Sequence, residues 1–260
     1  MLHLEETDST NNCLKDRIAV DERWISGEKM PVVWADYQTA GRGQAGNGWE
    51  SRRGENLLCS LMLKAPEVTV GQQFGLSMLV GMALRETVCE VAPESGDALT
   101  VKWPNDLYCG DGKLAGVLIE NTLSGGRIAC SVVGIGLNIN QTEWSGGVPN
   151  PTSLRLLTGR EYDVQDVLTT LVRTMETCAA RPQQEWRDYY MQHLYRRTGM
   201  HAYVEREVSL APTTTAESTA QGVFRAEIEG LTDAGELILR KENGERKTYH
   251  FKEIRFVREN

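Results

Sequence analysis

The chain of 260 residues carries 36 acidic against 28 basic side chains, a net charge of −8, and 40% of its residues are hydrophobic. That length and apolar content suffice for one good core plus a smaller appended one, and the acidic balance argues against a nucleic-acid face whose affinity rests on neutralising phosphates. Six cysteines with no C-x-x-C pair and four scattered histidines show neither a disulfide framework nor zinc spacing, while the absence of an export signal and of about 18 consecutive apolar residues predicts reduced thiols, no membrane span and a cytoplasmic location.

In DSTNNCLKDRIAV, Ser9 or Thr10 is placed to N-cap a helix whose apolar positions Leu14, Ile18 and Ala19 recur at helical spacing. PVVWADYQ reads as a strand, and ENLLCSLMLKAP as a second one ended by Pro66. VGQQFGLSMLVGMALRETVCEV has the length and periodicity of a long, largely buried helix. LTVKW is a strand stopped by Pro104, and DLYCGDGKLAGVLIEN shows two apolar runs around Gly-Asp-Gly, a hairpin signal. RIACSVVGIGLNIN reads as a strand entering a glycine turn. Two helices follow, over 163–180 and 182–195, broken at Arg181-Pro182. After Gly199 the texture changes to short alternating runs (HAYVEREV, GVFRAEIEG, GELILRKE, ERKTYHFKEI) separated by Asp-Ala-Gly and Asn-Gly, which predict a small β-barrel. The polar run SLAPTTTAESTA within it reads as a mobile loop without chemistry of its own. The expected organisation is an α/β domain over 1–198 and a barrel over 199–260.

Gly41, Gly43 and Gly46 spell G-x-G-x-x-G, but a dinucleotide-binding turn needs a helix after its third glycine, and Asn-Gly-Trp leads here into a strand. What remains is a loop whose glycines let backbone approach a ligand, with Arg42 set to meet an anion and Trp49 to stack or cover. A flexible surface turn with a solvated arginine accounts for the loop equally well. Lys102 and Lys113 lie at strand ends, where a compact point charge suits a phosphate or simply faces water. Gly116 leaves room for a group packed against its strand. Asp106 is a candidate Mg²⁺ ligand alongside nucleotide phosphates, although Asn105-Asp106 after proline also reads as a turn. Asn138 offers amide contacts to a base or ribose, or turns the chain.

Taken together and in this order, DSTN (8–11), YQTAGRGQAGNGW (37–49), KWPNDL (102–107), KLAG (113–116) and GIGLNIN (134–140) resemble the biotin protein ligases, over most of the chain. The resemblance implies an α/β (α+β) fold, a mixed-sheet catalytic domain of the biotin/lipoate ligase type with a C-terminal SH3-like β-barrel. It implies ATP and Mg²⁺, biotin as substrate, a biotinyl-AMP intermediate, and transfer to a lysine of a biotin carboxyl carrier domain of a carboxylase. Carried over by motif, Ser9, Thr10, Asn11 and Gln38 hold the biotin head, and Arg42, Gly43 and Gln44 belong to the loop that folds over the adenylate. Lys113 bridges the biotin carboxylate and the α-phosphate, sharing the chemistry with Arg42. Trp49, Lys102, Asn105 and Asn138 fall to the nucleotide and Asp106 to Mg²⁺. One departure is Gln44, where family members often carry a second arginine: either the adenylate is held less tightly and leaks, or Arg52 or Arg53 restores the charge, or the glutamine bonds the loop's own backbone. A lipoyl or octanoyl transferase of the same fold and a non-catalytic biotin-binding regulator are the alternatives. DSTN begins at residue 8, leaving no room for the winged-helix domain that some relatives carry, so no DNA and no membrane partner is expected; a monomer and a homodimer are both compatible.

Overall fold

A computed structural model describes residues 1–27, 30–64, 68–145, 150–206 and 222–258 of the chain. Its elements are β1 (Leu2–Leu4), α1 (Thr10–Val20), α2 (Arg23–Ser26), β2 (Val32–Ala35), β3 (Leu57–Leu63), α3 (Phe74–Val91), β4 (Leu99–Lys102), β5 (Asp106–Cys109), β6 (Gly112–Ser124), β7 (Arg127–Leu137), α4 (Leu154–Thr158), α5 (Val164–Ala179), α6 (Gln183–Gln192), β8 (His201–Glu205), β9 (Phe224–Leu231), β10 (Leu237–Lys241), β11 (Arg246–Tyr249) and β12 (Ile254–Phe256). The first seven strands form one mixed sheet in the order β1-β2-β3-β7-β6-β5-β4, parallel only between β1 and β2.

The sheet is covered on both faces, which is why β3 is buried along its whole length. One face turns Val32, Leu57, Leu61, Val133, Ile135 and Leu137 toward α3 and α5. The opposite face turns Val33, Met62 and Val132 toward Leu14 of α1. Alternation along β7 sets this division: Val133, Ile135 and Leu137 point one way and Gly134 and Gly136 the other. The expected glycine turn is therefore a strand. Its glycines lie within the ladder, opposite Leu118 and Gly116 of β6, and strip side chains from one stretch of the α1 face.

Asp163 caps α5, its carboxylate accepting from the backbone N–H of Gln165 and Asp166 at 2.7 and 3.0 Å. The short helix α4 was not expected; Ser153 caps it and Gly159, at φ +73°, ends it. Ser9 occupies the N-cap position of α1, but its side chain makes no capping bond. Gln38 caps from outside instead, its Oε1 accepting from Thr10 N at 2.8 Å and Thr10 Oγ1 at 3.1 Å. Pro66 and the SLAPTTTAESTA run lie outside the described residues.

The last five strands form an antiparallel sheet in the order β11-β10-β9-β8-β12. Its core is not separate from the first: Tyr203, Leu231 and Leu237 join the apolar cluster that contains α3 and α5. Trp103 is the joint, buried to 5% exposure, with Nε1 donating to Gly235 O at 2.8 Å; Arg187 Nη2 adds a bond to Leu231 O at 2.6 Å. Among the described residues no helix is long and apolar enough to cross a membrane.

Candidate active site

The glycine loop folds back on itself. Trp49 N donates to Gly41 O at 2.9 Å and Gly43 N to Asn47 O at 2.6 Å, and a Cβ on Gly41 would stand 2.6 Å from Trp49 O. The closure delivers the Trp49 indole onto the stripped face of the sheet. Gly116 and Gly136 are cross-strand partners, and a Cβ on either would lie 2.8 or 2.3 Å from the indole. The room that Gly116 leaves is thus taken by Trp49. A Cβ on Gly134 would likewise meet Asn11 Oδ1 at 2.3 Å.

Two cavities flank this indole. The inner one is lined by Ser9, Thr10, Asn11, Gln38, Arg42, Gly43, Gln44, Asn105 and Phe251, and the outer one by Glu50, Lys102, Tyr108, Asn138 and Trp144; Trp49, Asp106 and Lys113 line both. The motif residues thus come together from five separate stretches of chain, although Asn105, expected on the nucleotide side, lines the inner cavity, its amide donating to Val117 O.

Lys113 stands at the boundary. Its Nζ is 2.8 Å from Asp106 Oδ1 and 5.6 Å from the centre of the Trp49 ring. Lys102 donates to Tyr108 Oη at 2.8 Å. Burial lowers the Lys102 pKa from 10.5 to about 8, opposed by the charge of Asp106 and Asp111 and assisted by Lys113 and Arg196. Asn138 is buried and donates Nδ2 to Thr152 O at 2.9 Å, while its Oδ1 and Trp49 Nε1 have no hydrogen-bond partner among the described residues. Such atoms cost about 1–3 kcal/mol each unless a ligand or water satisfies them.

Around the inner cavity several polar groups are already paired. Ser60 Oγ lies 2.7 Å from Thr10 Oγ1 and 2.5 Å from Asn11 Oδ1. Asn11 Nδ2 donates to Glu120 Oε2 at 2.7 Å, and the same carboxylate accepts from Lys15 Nζ and Arg42 Nη2, both at 2.9 Å. Burial works against the Glu120 charge, but these three donors together hold its pKa below the usual glutamate value. Sequence reasoning missed Glu120, since no local pattern marks a strand carboxylate as the partner of a loop 78 residues away. It missed Tyr108 and Phe251 for the same reason. Cys59 also lines the inner cavity, its thiol pushed up to about 12 by burial and so unreactive.

Neither compensation expected at Gln44 is seen among the described residues. Arg52 pairs with Glu143 at 2.8 Å, and Arg53 pairs with Glu6 and donates to Glu5 O. The Gln44 side chain makes no hydrogen bond among the described residues. For a metal, no group of three or more His, Cys, Asp or Glu gathers among the described residues. The carboxylates lining the outer cavity are Asp106 and Glu50, the latter accepting from Ser145 N at 2.8 Å.

The model of the biotin/lipoate A/B protein ligase family matches residues 4–138. The chain is 32% identical to a biotin--[acetyl-CoA-carboxylase] ligase of Paracoccus denitrificans, over 80% of this chain and 83% of that protein. It is 35% identical to the bifunctional ligase/repressor BirA of Escherichia coli over 68% of its own residues, but spans only 53% of that relative's length. Its fold is similar to the biotin protein ligase from Aquifex aeolicus in complex with biotin and ATP, with a TM-score of 0.73, 25% identity and 98% of each chain covered.

Proposed function

The chain belongs to the biotin/lipoate A/B protein ligase family, and from that premise we propose that it is a biotin protein ligase, which joins biotin to ATP as biotinyl-5′-AMP and then passes the biotinyl group to a lysine of a biotin carboxyl carrier domain. The observation that carries this reading is a single ammonium, Lys113, standing where two cavities share a wall. In the first step a biotin carboxylate oxygen bonds to the α-phosphorus while the bond to pyrophosphate breaks. Two anions must meet, and in a site with little water their repulsion is severe unless a cation lies between them. Lys113 supplies that cation. In the second step the acceptor amine bonds to the acyl carbon, AMP leaves and the amine loses a proton.

The inner cavity takes biotin. Ser9, Thr10 and Gln38 present polar groups to its ureido ring, and Asn11, whose amide is committed to Ser60 and Glu120, shapes the wall behind them. The outer cavity takes the nucleotide against Trp49, Lys102 and Asn138; the Asn138 Oδ1 and Trp49 Nε1, without a partner among the described residues, offer one acceptor and one donor. The loop over 41–49 covers the junction and excludes water from a reactive anhydride. Asp106, now paired with Lys113, and Glu50 are the side chains that would hold Mg²⁺ with the nucleotide, where the ion would neutralise phosphate charge, consistent with an ion that takes one or two carboxylates plus phosphates. The reading places the enzyme with its ATP and acceptor in the cytoplasm.

The test is to incubate the protein with biotin, ATP, Mg²⁺ and a carrier domain, and to weigh the carrier. One biotinyl group per carrier is expected, together with ATP–pyrophosphate exchange that depends on biotin and is not replaced by lipoate. An unmodified carrier, or exchange driven by lipoate, overturns the reading.

A further inference from the structure

Lys102 ends β4, and its ammonium is surrounded by rings drawn from three parts of the molecule. Nζ lies 4.3 Å from the centre of Tyr108 on β5, 5.9 Å from Tyr195 beyond α6, and 5.4 Å from Phe256 on β12. The rings brace one another. Tyr108 and Tyr195 are 5.3 Å apart, Tyr195 and Phe256 6.1 Å, and Phe256 stands edge-on to the fully buried Tyr203 at 5.1 Å. Tyr195 Oη is further tied to Asp111 Oδ1 at 2.5 Å.

An ammonium has three N–H donors. Tyr108 Oη accepts one, whereas a ring face attracts the charge through its quadrupole and supplies no lone pair to an N–H. The cage therefore holds the cation and leaves donors for the outer cavity, which Lys102 lines. Phe256 is the member that comes from the C-terminal sheet, and it brings no polar atom of its own.

We propose that Phe256 is a positioning residue of the site: by closing the ring cage it fixes the Lys102 ammonium on the wall of the outer cavity, so that the C-terminal sheet takes part in nucleotide handling without touching the nucleotide. This rests on the reading of that cavity as the nucleotide side. The role of Phe256 is then narrow. It tunes the grip on ATP and leaves biotin, held one cavity away, unaffected.

The test combines a direct view of the cage with kinetics. In protein labelled with ¹³C at the lysine Cε, the Lys102 signals, identified by their loss in Lys102→Arg, are expected far upfield because of ring currents. Phe256→Leu is expected to move them toward ordinary lysine positions, and Phe256→Tyr to leave them displaced. In biotin-dependent ATP–pyrophosphate exchange, Phe256→Leu is expected to raise KM for ATP roughly tenfold, the scale of a cation–π contact in a poorly hydrated site, with KM for biotin unchanged and Phe256→Tyr restoring the wild-type value. Lys102→Met leaves the sheet intact and is expected to raise KM for ATP at least as much, which keeps the test alive should the leucine variant not fold. Unmoved Lys102 signals in Phe256→Leu, or a loss shared equally by biotin and ATP, overturns the proposal. A wild-type protein with displaced signals that neither binds ATP nor exchanges pyrophosphate overturns instead the nucleotide reading on which it rests, and is recognised by failing before any variant is made.

Discussion

The inner and outer cavities share Trp49, Asp106 and Lys113 but differ in how far their polar groups are already satisfied. Around the inner one, Gln38, Thr10, Ser60, Asn11, Glu120, Lys15 and Arg42 form a continuous chain of contacts. The outer one leaves an acceptor on Asn138 unpartnered among the described residues, and the Trp49 donor on the wall between the two is unpartnered as well. A chain of mutually held groups gives a cavity whose shape precedes its ligand, since each side chain fixes the next. Unpaired buried atoms have the opposite effect, because the ligand that completes them removes a cost the empty site carries. The molecule thus joins a preformed pocket to one that its ligand finishes.

The largest effect should come from the residue that belongs to both. Lys113→Ala is expected to lower biotin-dependent ATP–pyrophosphate exchange by about 10²–10³-fold, the scale on which a preorganised group at developing charge acts. Thermal unfolding should change little, because Asp106 is partly exposed and regains water. A variant that exchanges at the wild-type rate would show that the shared wall is not where the anions meet.

Next in size, Gly136→Ala attacks the partition itself. Its methyl would stand 2.3 Å from the Trp49 indole, and overpacking of this kind costs about 1–3 kcal/mol. We expect a lower melting temperature, a changed tryptophan emission spectrum and weaker ATP binding. Unaltered emission with full stability would mean that Trp49 does not depend on the glycine niche.

Glu120→Gln tests whether the inner cavity is held together by charge. Replacing the carboxylate with an amide should cost about 0.5–1.5 kcal/mol and raise KM for biotin more than KM for ATP. The pH dependence gives a second reading. The Glu120 pKa lies below its ordinary value of 4.5 in the folded protein, so its contribution is fully present above 4.5 and is lost as the pH falls through the lower folded-state value. The stability gap between wild type and variant, measured by urea unfolding, should therefore close on acidification; a gap that persists at low pH would point to shape rather than charge.

The smallest effect is expected at Gln44. With Arg52 and Arg53 committed to Glu143 and Glu6, neither stands in for an arginine there, so Gln44→Arg should slow release of biotinyl-AMP by at most about tenfold, the difference between a charged and a neutral contact to phosphate. Release measured without an acceptor decides it. An unchanged rate would remove position 44 from retention of the intermediate.

Much of this was legible in the chain because it depends on local periodicity or on short motifs. Short apolar runs marked β2, β3 and the β5–β6 hairpin, and helical spacing with a proline break marked α3, α5 and α6. Five residues are too few for a helical period, so α4 was invisible. Gly134 and Gly136 read as a turn because glycine weakens a strand interior. Only the sheet shows that they are a stripped face occupied by Asn11 and Trp49. Ser9, Thr10, Gln38, Arg42, Trp49 and Lys113 were marked only by several short motifs taken together and in order, since each motif alone also reads as a cap, a turn or a solvated charge.

What the tertiary structure alone decided is the partnering of those residues. Glu120 meets Arg42 across the sheet, Lys113 meets Asp106 across a hairpin, and Phe256 reaches Lys102 from the far end of the chain. Residue types and spacing determined which groups were available; the register of β6 on β7 and the docking of the C-terminal sheet on Trp103 determined which of them touch. The reason is physical. A side chain's charge, ring or hydroxyl is an intrinsic property that the sequence states outright, but an interaction energy depends on a distance of a few ångströms and on how much water remains, and both are set only when distant segments pack.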